Sequence, residues 1–471
     1  VSLLWTSAEM VAAMDGRPVG ELPQGVTGIS IDSRSITPGE AFFAIKGDRV
    51  DGHSFASMAA ANGASLLVVS EAKLPALGRL ICPMIVVDDV LEAMYMLASA
   101  ARARAQVQVI AVTGSVGKTS TKEMVASGLK PSGKVHAAVA SFNNHWGVPL
   151  TLARMPADTE FGVFEIGMNH PGEIRPLTKL VRPHVAVITT IAPAHLGNFN
   201  SMKEITAAKA EIFEGLEPEG YAVLNRDIEQ FESLARTAKN TGAQIISFGE
   251  HSKASFKLLD YRTCGDKGQV QAMLGSDEPV SFELGLPGQH MAENALAALA
   301  AISVAGGDPI AAVEALSETR QLNGRGRRHR LKADGGVFTL IDESYNANPA
   351  SMRAALELLG SFELQGNGRR IAILGDMLEM GAYAHDAHEA LAAPLVSCGV
   401  TDVWLAGDEM KVLRDALPES IVVEYRANAR ELAEFASGAI AADDVVMVKS
   451  SLGIGFSDIV KKILETYPAD V

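Results

Sequence analysis

The stretch Val107-Gln-Val-Ile-Ala-Val-Thr-Gly-Ser-Val-Gly-Lys-Thr-Ser-Thr121 constrains this chain more than any other. An apolar, β-branched run stops at Thr113, a glycine-bearing loop follows, and Ser120 to Leu129 reads as a helix. That order is what a phosphate-binding loop requires. Gly114 and Gly117 let backbone amides approach phosphate oxygens, the helix start offers unpaired N–H groups, and Lys118 neutralises charge. Thr119 is placed to put its hydroxyl on Mg²⁺. Val112 stands where the longer Walker pattern has its first glycine, so this is the shorter G-x-x-G-K-T form. An ordinary glycine turn is the alternative. The coincidence of strand, loop, Lys-Thr and helix favours a nucleotide site at Thr113, Gly114, Ser115, Val116, Gly117, Lys118, Thr119 and Ser120.

A chain of 471 residues has room for three domains at about 150 residues each. Its net charge of −15 argues against wholesale binding to nucleic acid or anionic membrane, where Lys and Arg supply most of the affinity. Cys82, Cys264 and Cys398 lie far apart without Cys-x-x-Cys spacing, so neither a zinc site nor a disulfide framework is expected. No basic-then-apolar leader opens the sequence, and polar residues interrupt every apolar stretch before about 18 residues. The expectation is a cytoplasmic monomer acting on small molecules, without stable membrane insertion.

Three α/β regions follow from the order of apolar runs and turn signals. Residues 1–88 read as a small α/β domain of short strands and turns without a phosphate loop. Its polar residues Ser33, Arg34, Lys46 and His53 are either turn chemistry or a docking site for a ligand's remote end. Residues 89–323 read as the central phosphate-loop domain, entered through a helix from Leu91 to Ala105. The strands Val107–Val112, Phe161–Ile166 and Val185–Ile191 alternate with helical or loop segments, which implies a parallel sheet with ligands outside its carboxyl edge. Thr119, Glu165 and His195 gather at that edge on this reading.

Asn143 and Asn144 precede a helix at Thr151–Met155 and are turn formers or substrate contacts. Period-two runs from Gly220 to Leu286 add strands to the same domain, and a helix spans Ala295 to Ala305. The basic run Asn323 to Arg330 reads as a hinge loop whose arginines reach phosphate. Residues 324–471 repeat the α/β rhythm as a Rossmann-like, doubly wound domain, with Asp342 to Asn348, Gly375-Asp376 and Lys449 to Ser451 at strand ends.

One lysine falls on an apolar face. A helix from Lys203 to Leu216 puts Ile205, Lys209, Ile212 and Leu216 on one stripe. By pattern alone the ammonium snorkels to water. The sharper reading is that burial lowers the amine pKa, leaving a neutral nucleophile that takes up CO₂ and becomes a metal-binding carboxylate.

Together, Thr113 to Ser120, Glu165 to Asn169, Ala194-His195, Ala208-Lys209, Asn294 and Glu343-Ser-Tyr-Asn-Ala-Asn-Pro349 resemble the Mur ligases of peptidoglycan synthesis, over nearly the whole chain. Ser344 to Asn348 followed by Gly375-Asp-Met-Leu-Glu-Met-Gly381 narrows the resemblance to members that add D-alanyl-D-alanine to UDP-N-acetylmuramoyl-tripeptide. It implies three domains, binding in turn the UDP-sugar end, ATP and the incoming amino component, and peptide bond formation through an acyl phosphate. Lys118 is implied at the β and γ phosphates, Thr119 and Glu165 at Mg²⁺, and His195 with carboxylated Lys209 at a second Mg²⁺. Asn294 and Arg325, with Arg327 competing, are implied at ATP, as are Glu343 and Tyr345. Asn346 and Asn348 are implied to help place the dipeptide. The family's usual Lys-Gly-Ser-Arg is here Lys449-Ser-Ser-Leu452, which removes the arginine.

Three other readings compete. A ligase adding the third peptide residue would carry Asp-Asn-Pro-Arg, and no such run occurs. Folylpolyglutamate synthase normally lacks the first domain. A nucleotide-switched binding protein would hydrolyse ATP slowly without needing a peptide substrate.

Overall fold

The computed structural model describes residues 2–470 except 48–49, 79, 140, 194–195, 200, 265–266 and 320–323. Three α/β layers follow one another along the chain, each built on its own main sheet. No helix among the described residues is long and apolar enough to cross a membrane.

The first sheet runs in the order Arg17–Val19, Met84–Val87, Leu66–Ser70, Glu40–Phe43 and Gly28–Ser30, parallel except for its first pair. Asp89 then caps the helix Val90–Arg104 by accepting from the Glu92 amide at 2.9 Å. This layer is fastened to the next at two points. The Trp5 indole donates to the Ala153 carbonyl at 2.8 Å beneath the Arg104 guanidinium, and Arg154 Nε donates to the Ile29 carbonyl at 2.7 Å.

The second layer is a nine-stranded sheet. The strand Gln108–Thr113 lies between Val185–Ile188 on one side and Phe161–Glu165 on the other, with Val135–Ala137 beyond. The chain therefore leaves the phosphate-loop strand in two directions, which opens a crevice at its carboxyl end. Tyr221–Asn225 and Gln244–Gly249 extend the sheet in parallel, and Phe256–Cys264, Lys267–Leu274 and Pro279–Leu284 complete it as an antiparallel meander. The helix Gln289–Val304 covers one face, with every residue from Ala295 to Ile302 fully buried.

Several elements differ from the sequence reading. The helix expected at Ala295 starts at Gln289, because Gly288, at φ +116°, turns the chain without a side-chain cap. The helix expected at Thr151–Met155 is Gly147–Ala153; Pro149 sits in its first turn, where the missing N–H costs nothing. Lys203–Leu216 is an α-helix only over Met202–Ala210 and tightens to a 3₁₀ turn over Glu211–Gly215. Met84–Val87, Val135–Ala137 and the helix Phe231–Asn240 were not singled out by pattern.

The third sheet runs Arg327–Ala333, Gly336–Glu343, Val445–Lys449, Arg370–Gly375, Asp402–Ala406 and Val422–Arg426, parallel after its first pair. The basic run is thus not one hinge loop. From Arg327 it is an edge strand paired with Gly336–Glu343; Asn323 lies outside the described residues.

Candidate active site

The carboxyl edges of the second and third sheets face each other across a cleft of about 480 Å³. On the central side the loop after Thr113 holds its shape through unusual backbone. Gly114 and Gly117 have φ of +149° and +84°. A Cβ on Gly117 would stand 2.5 Å from Asn294 Oδ1, so only glycine lets that amide reach the loop. Thr189 Oγ1 donates to the Val116 carbonyl at 2.5 Å, and the Ser115 hydroxyl donates to the Ala192 carbonyl at 2.9 Å. Ser115, Val116, Gly117, Lys118, Thr119 and Ser120 line the cleft; Thr113 is fully buried at the strand end behind them.

Lys118 Nζ donates to the Gly114 carbonyl at 2.8 Å. Burial pushes its amine pKa down, opposed by Glu165 and reinforced by Arg325. Thr119 Oγ1 donates to Glu165 Oε2 at 2.6 Å, and Asn143 Nδ2 donates to Oε1 at 2.7 Å. Glu165 is 2% exposed. Among the described residues each of its oxygens accepts from one neutral donor, which leaves lone pairs for a cation, and it has no ion pair at salt-bridge distance. Oxygen donors around a buried carboxylate suit a hard divalent cation.

Ser141 joins the two sides. Its hydroxyl lies 3.1 Å from Thr119 Oγ1 and accepts from Arg325 at 3.1 Å. Arg325 stacks on Tyr345, 4.0 Å from the ring centroid. Arg327, by contrast, sits on the edge strand and points into a second cavity, beside His329 and Lys461. Of the two competing arginines, the geometry brings Arg325 to the phosphate loop. Deeper in the third layer, Lys449 Nζ meets Glu343 Oε2 at 3.1 Å and the Asn346 carbonyl at 2.9 Å.

A further contact closes the cleft's far end. The Gly197 amide donates to the Glu379 carbonyl at 3.1 Å, and a Cβ on Gly381 would stand 2.5 Å from Gly197 Cα. Gly381→Ala is therefore expected to push the two loops apart, read as a larger radius of gyration in X-ray scattering, and to lower the melting temperature because Gly381 sits at φ +54°. An unchanged radius would contradict it.

The three-part organisation recurs in known proteins. Residues 25–102 match the Mur ligase family catalytic domain, 112–302 the Mur ligase middle domain, and 326–452 the Mur ligase glutamate ligase domain. UDP-N-acetylmuramoyl-tripeptide--D-alanyl-D-alanine ligase of Rickettsia prowazekii is 32% identical over 92% of this chain and 94% of its own length. The enzyme of that name from Bacillus subtilis is 33% identical over 98% and 97%. The chain belongs to the Mur ligase family. A crystal structure of MurF from Acinetobacter baumannii superposes with a TM-score of 0.81 at 29% identity, covering 98% of this chain and 99% of that one.

Within this Mur ligase the first-layer candidates divide. Arg34 is exposed, and its guanidinium forks onto Asp32 at 2.9 and 2.7 Å, holding that carboxyl down at about 2. Lys46 is exposed beside the bridge to Asp51. Ser33 is buried, its carbonyl accepting from Asn62 at 2.8 Å. His53 is buried, with Nδ1 2.7 Å from Asp51 and Nε2 accepting from the Ser70 amide at 3.0 Å, so both ring nitrogens are engaged within the first layer.

The asparagines divide in the same way. Asn143 is in the site, whereas Asn144 Oδ1 accepts from the Gly147 amide at 2.9 Å and starts a helix. Asn346 is exposed on the cleft wall. Asn348 also borders the cleft, but its Oδ1 caps the helix Pro349–Gly360 through the Ser351 amide at 2.9 Å. His195 lies outside the described residues.

Lys209 is 2% exposed, which overturns the snorkelling reading. Burial, and then the charge on Lys118, hold its pKa well below the usual lysine value. Lys122, also buried, has the Ala138 carbonyl at 2.7 Å and Glu123 at 2.5 Å beside it.

Proposed function

We propose that this Mur ligase joins D-alanyl-D-alanine to UDP-N-acetylmuramoyl-tripeptide with hydrolysis of ATP, forming the UDP-linked pentapeptide precursor of peptidoglycan. What carries the reading is the dipeptide-adding relatives' near full-length match together with a phosphate loop facing Tyr345, Asn346 and Lys449 across one cleft. Residues 1–88 hold the UDP-sugar end through Arg34 and Lys46, residues 89–323 hold ATP, and residues 324–471 present the dipeptide.

A carboxylate is a poor electrophile. The tripeptide's terminal carboxylate oxygen attacks the γ-phosphorus of ATP, and ADP leaves, giving an acyl phosphate. The free amine of D-alanyl-D-alanine then attacks the acyl carbon; phosphate departs with the C–O bonding pair, and the nitrogen gives up a proton to solvent as the amide forms. Lys118 and Arg325 stabilise charge on the transferring phosphoryl group, and Asn294 fixes the nucleotide against Gly117. Glu343, paired with Lys449, and Tyr345, under Arg325, form the nucleotide's third-layer wall. Asn346 orients the dipeptide, and a closed cleft protects the acyl phosphate from water.

Thr119 and Glu165 would hold Mg²⁺, and His195 with N-carboxylated Lys209 a second ion; bound there, the ions neutralise phosphate charge. The test is ATP-dependent product formation with the UDP-tripeptide, with and without D-alanyl-D-alanine. Pentapeptide formation requiring both substrates is the expected result. Phosphate release that ignores the dipeptide and responds to a single amino acid would overturn it.

A further inference from the structure

The arginine that reaches the phosphate loop is presented by a short clip. Gly324 and Gly326 flank Arg325 with φ of +75° and +86°, a region that glycine enters without strain. Both are sewn to one residue at the end of the neighbouring strand. Asp342 Oδ2 accepts from the Gly324 amide at 2.7 Å, and the Asp342 carbonyl accepts from the Gly326 amide at 2.8 Å. Its other carboxylate oxygen accepts from Ser344, at 3.1 Å from the amide and 2.6 Å from the hydroxyl. The Tyr345 amide closes the loop by donating to the Gly324 carbonyl at 3.1 Å.

Asp342 is 5% exposed. Among the described residues it makes no ion pair; its carboxylate is held by neutral donors alone. An apolar residue there would spare the desolvation of the charge but strand the Gly324 and Ser344 donors that the carboxylate satisfies. What its geometry does is fix two left-handed turns and the Tyr345 ring together, so that Arg325 leaves the clip with its guanidinium on Tyr345 and aimed at Ser141.

We propose that Asp342 is a positioning residue for nucleotide: it acts through Arg325 and does not itself touch substrate. This rests on the proposed role of Arg325 at ATP. Asp342→Asn keeps the size of the side chain but puts an amide NH₂, which cannot accept, against one of the N–H donors. The clip loosens, and Arg325 loses its fixed approach.

The experiment compares Asp342→Asn, Arg325→Ala and the double variant in the full chain. Calorimetric ADP binding and KM values for ATP and D-alanyl-D-alanine are the readouts. Asp342→Asn is expected to weaken ADP binding and raise KM for ATP about tenfold, with KM for the dipeptide changed less than about twofold. The double variant is expected to match Arg325→Ala, because two changes acting through one group do not add. Fold-changes that multiply in the double variant, or an unaltered KM for ATP in Asp342→Asn, would overturn the proposal.

If Asp342→Asn does not fold, Gly324→Ala perturbs the same clip, since its Cβ would stand 2.8 Å from Tyr345 Cβ. The same non-additivity with Arg325→Ala then decides. ADP binding needs no peptide substrate, so a wrong assignment of the acceptor leaves this test intact.

Discussion

Lys118→Ala is expected to lower pentapeptide formation by about a thousandfold, corresponding to about 4 kcal/mol of transition-state stabilisation. The lysine is the loop's own cation. Its ammonium is held between the Gly114 and Ser115 carbonyls at 2.8 and 3.5 Å, beside Glu165 and opposite Arg325. Charge develops on the transferring phosphoryl oxygens, and a fixed cation in a partly dehydrated cleft stabilises that charge without reorganising. The fold should survive. The hydrogen bonds that Lys118 donates go to two carbonyls of its own loop, and Thr119, Glu165 and Asn143 keep their mutual bonds without it. The check is kcat alongside melting temperature: a rate near that of the wild type would remove the phosphate loop from the mechanism. A collapse in melting temperature would mean that the lysine holds the loop together.

The phosphate loop was legible because its signals are local. Strand periodicity, two glycines and Lys-Thr lie within one short stretch, and the structure needs each glycine where it stands. The three α/β layers were legible for the same reason, since alternating apolar runs mark parallel strands wherever both sheet faces are covered. Arg327–Ala333 was hidden because an edge strand carries its charges outward and so reads as a loop. Gln289 to Asn294 was hidden because the helix begins at a glycine and lacks the usual capping side chain.

In the site, Glu165 and Asn294 came from strand end and resemblance. Ser141 had no signal at all: its contact with Arg325 joins residues 184 positions apart. Asp342 stood in a polar strand-end run, but that run could not say which side chain points back to hold Gly324. Lys209 and Lys122 are both buried, and the Ala138 carbonyl and Glu123 carboxylate beside Lys122 are visible only in three dimensions.

Lys209→Met is expected to abolish ligation and, compared in CO₂-depleted buffer where Lys209 is the free amine, to raise melting temperature, and the rise should shrink as pH increases. The amine's folded pKa is depressed, by burial first and by the Lys118 charge second. Between that value and the unfolded value near ~10.4, the unfolded chain binds more protons, so the lysine's contribution to stability is fully present above the unfolded pKa and is lost as pH falls through the folded one. Methionine does not titrate, so the variant escapes this acid-side penalty. Melting temperatures of both proteins at about pH 6 and about pH 9 measure the sign directly; an equal difference at both would mean that the amine is not depressed. A lowered amine pKa also favours reaction with CO₂, because only the unprotonated form reacts. Lys209→Ala, which leaves room, should regain part of its activity with added acetate or formate, whereas Lys209→Met should not. Rescue of both by salt alone would point to a general ionic effect, and full activity in either would exclude a carboxylated Lys209 from the reaction.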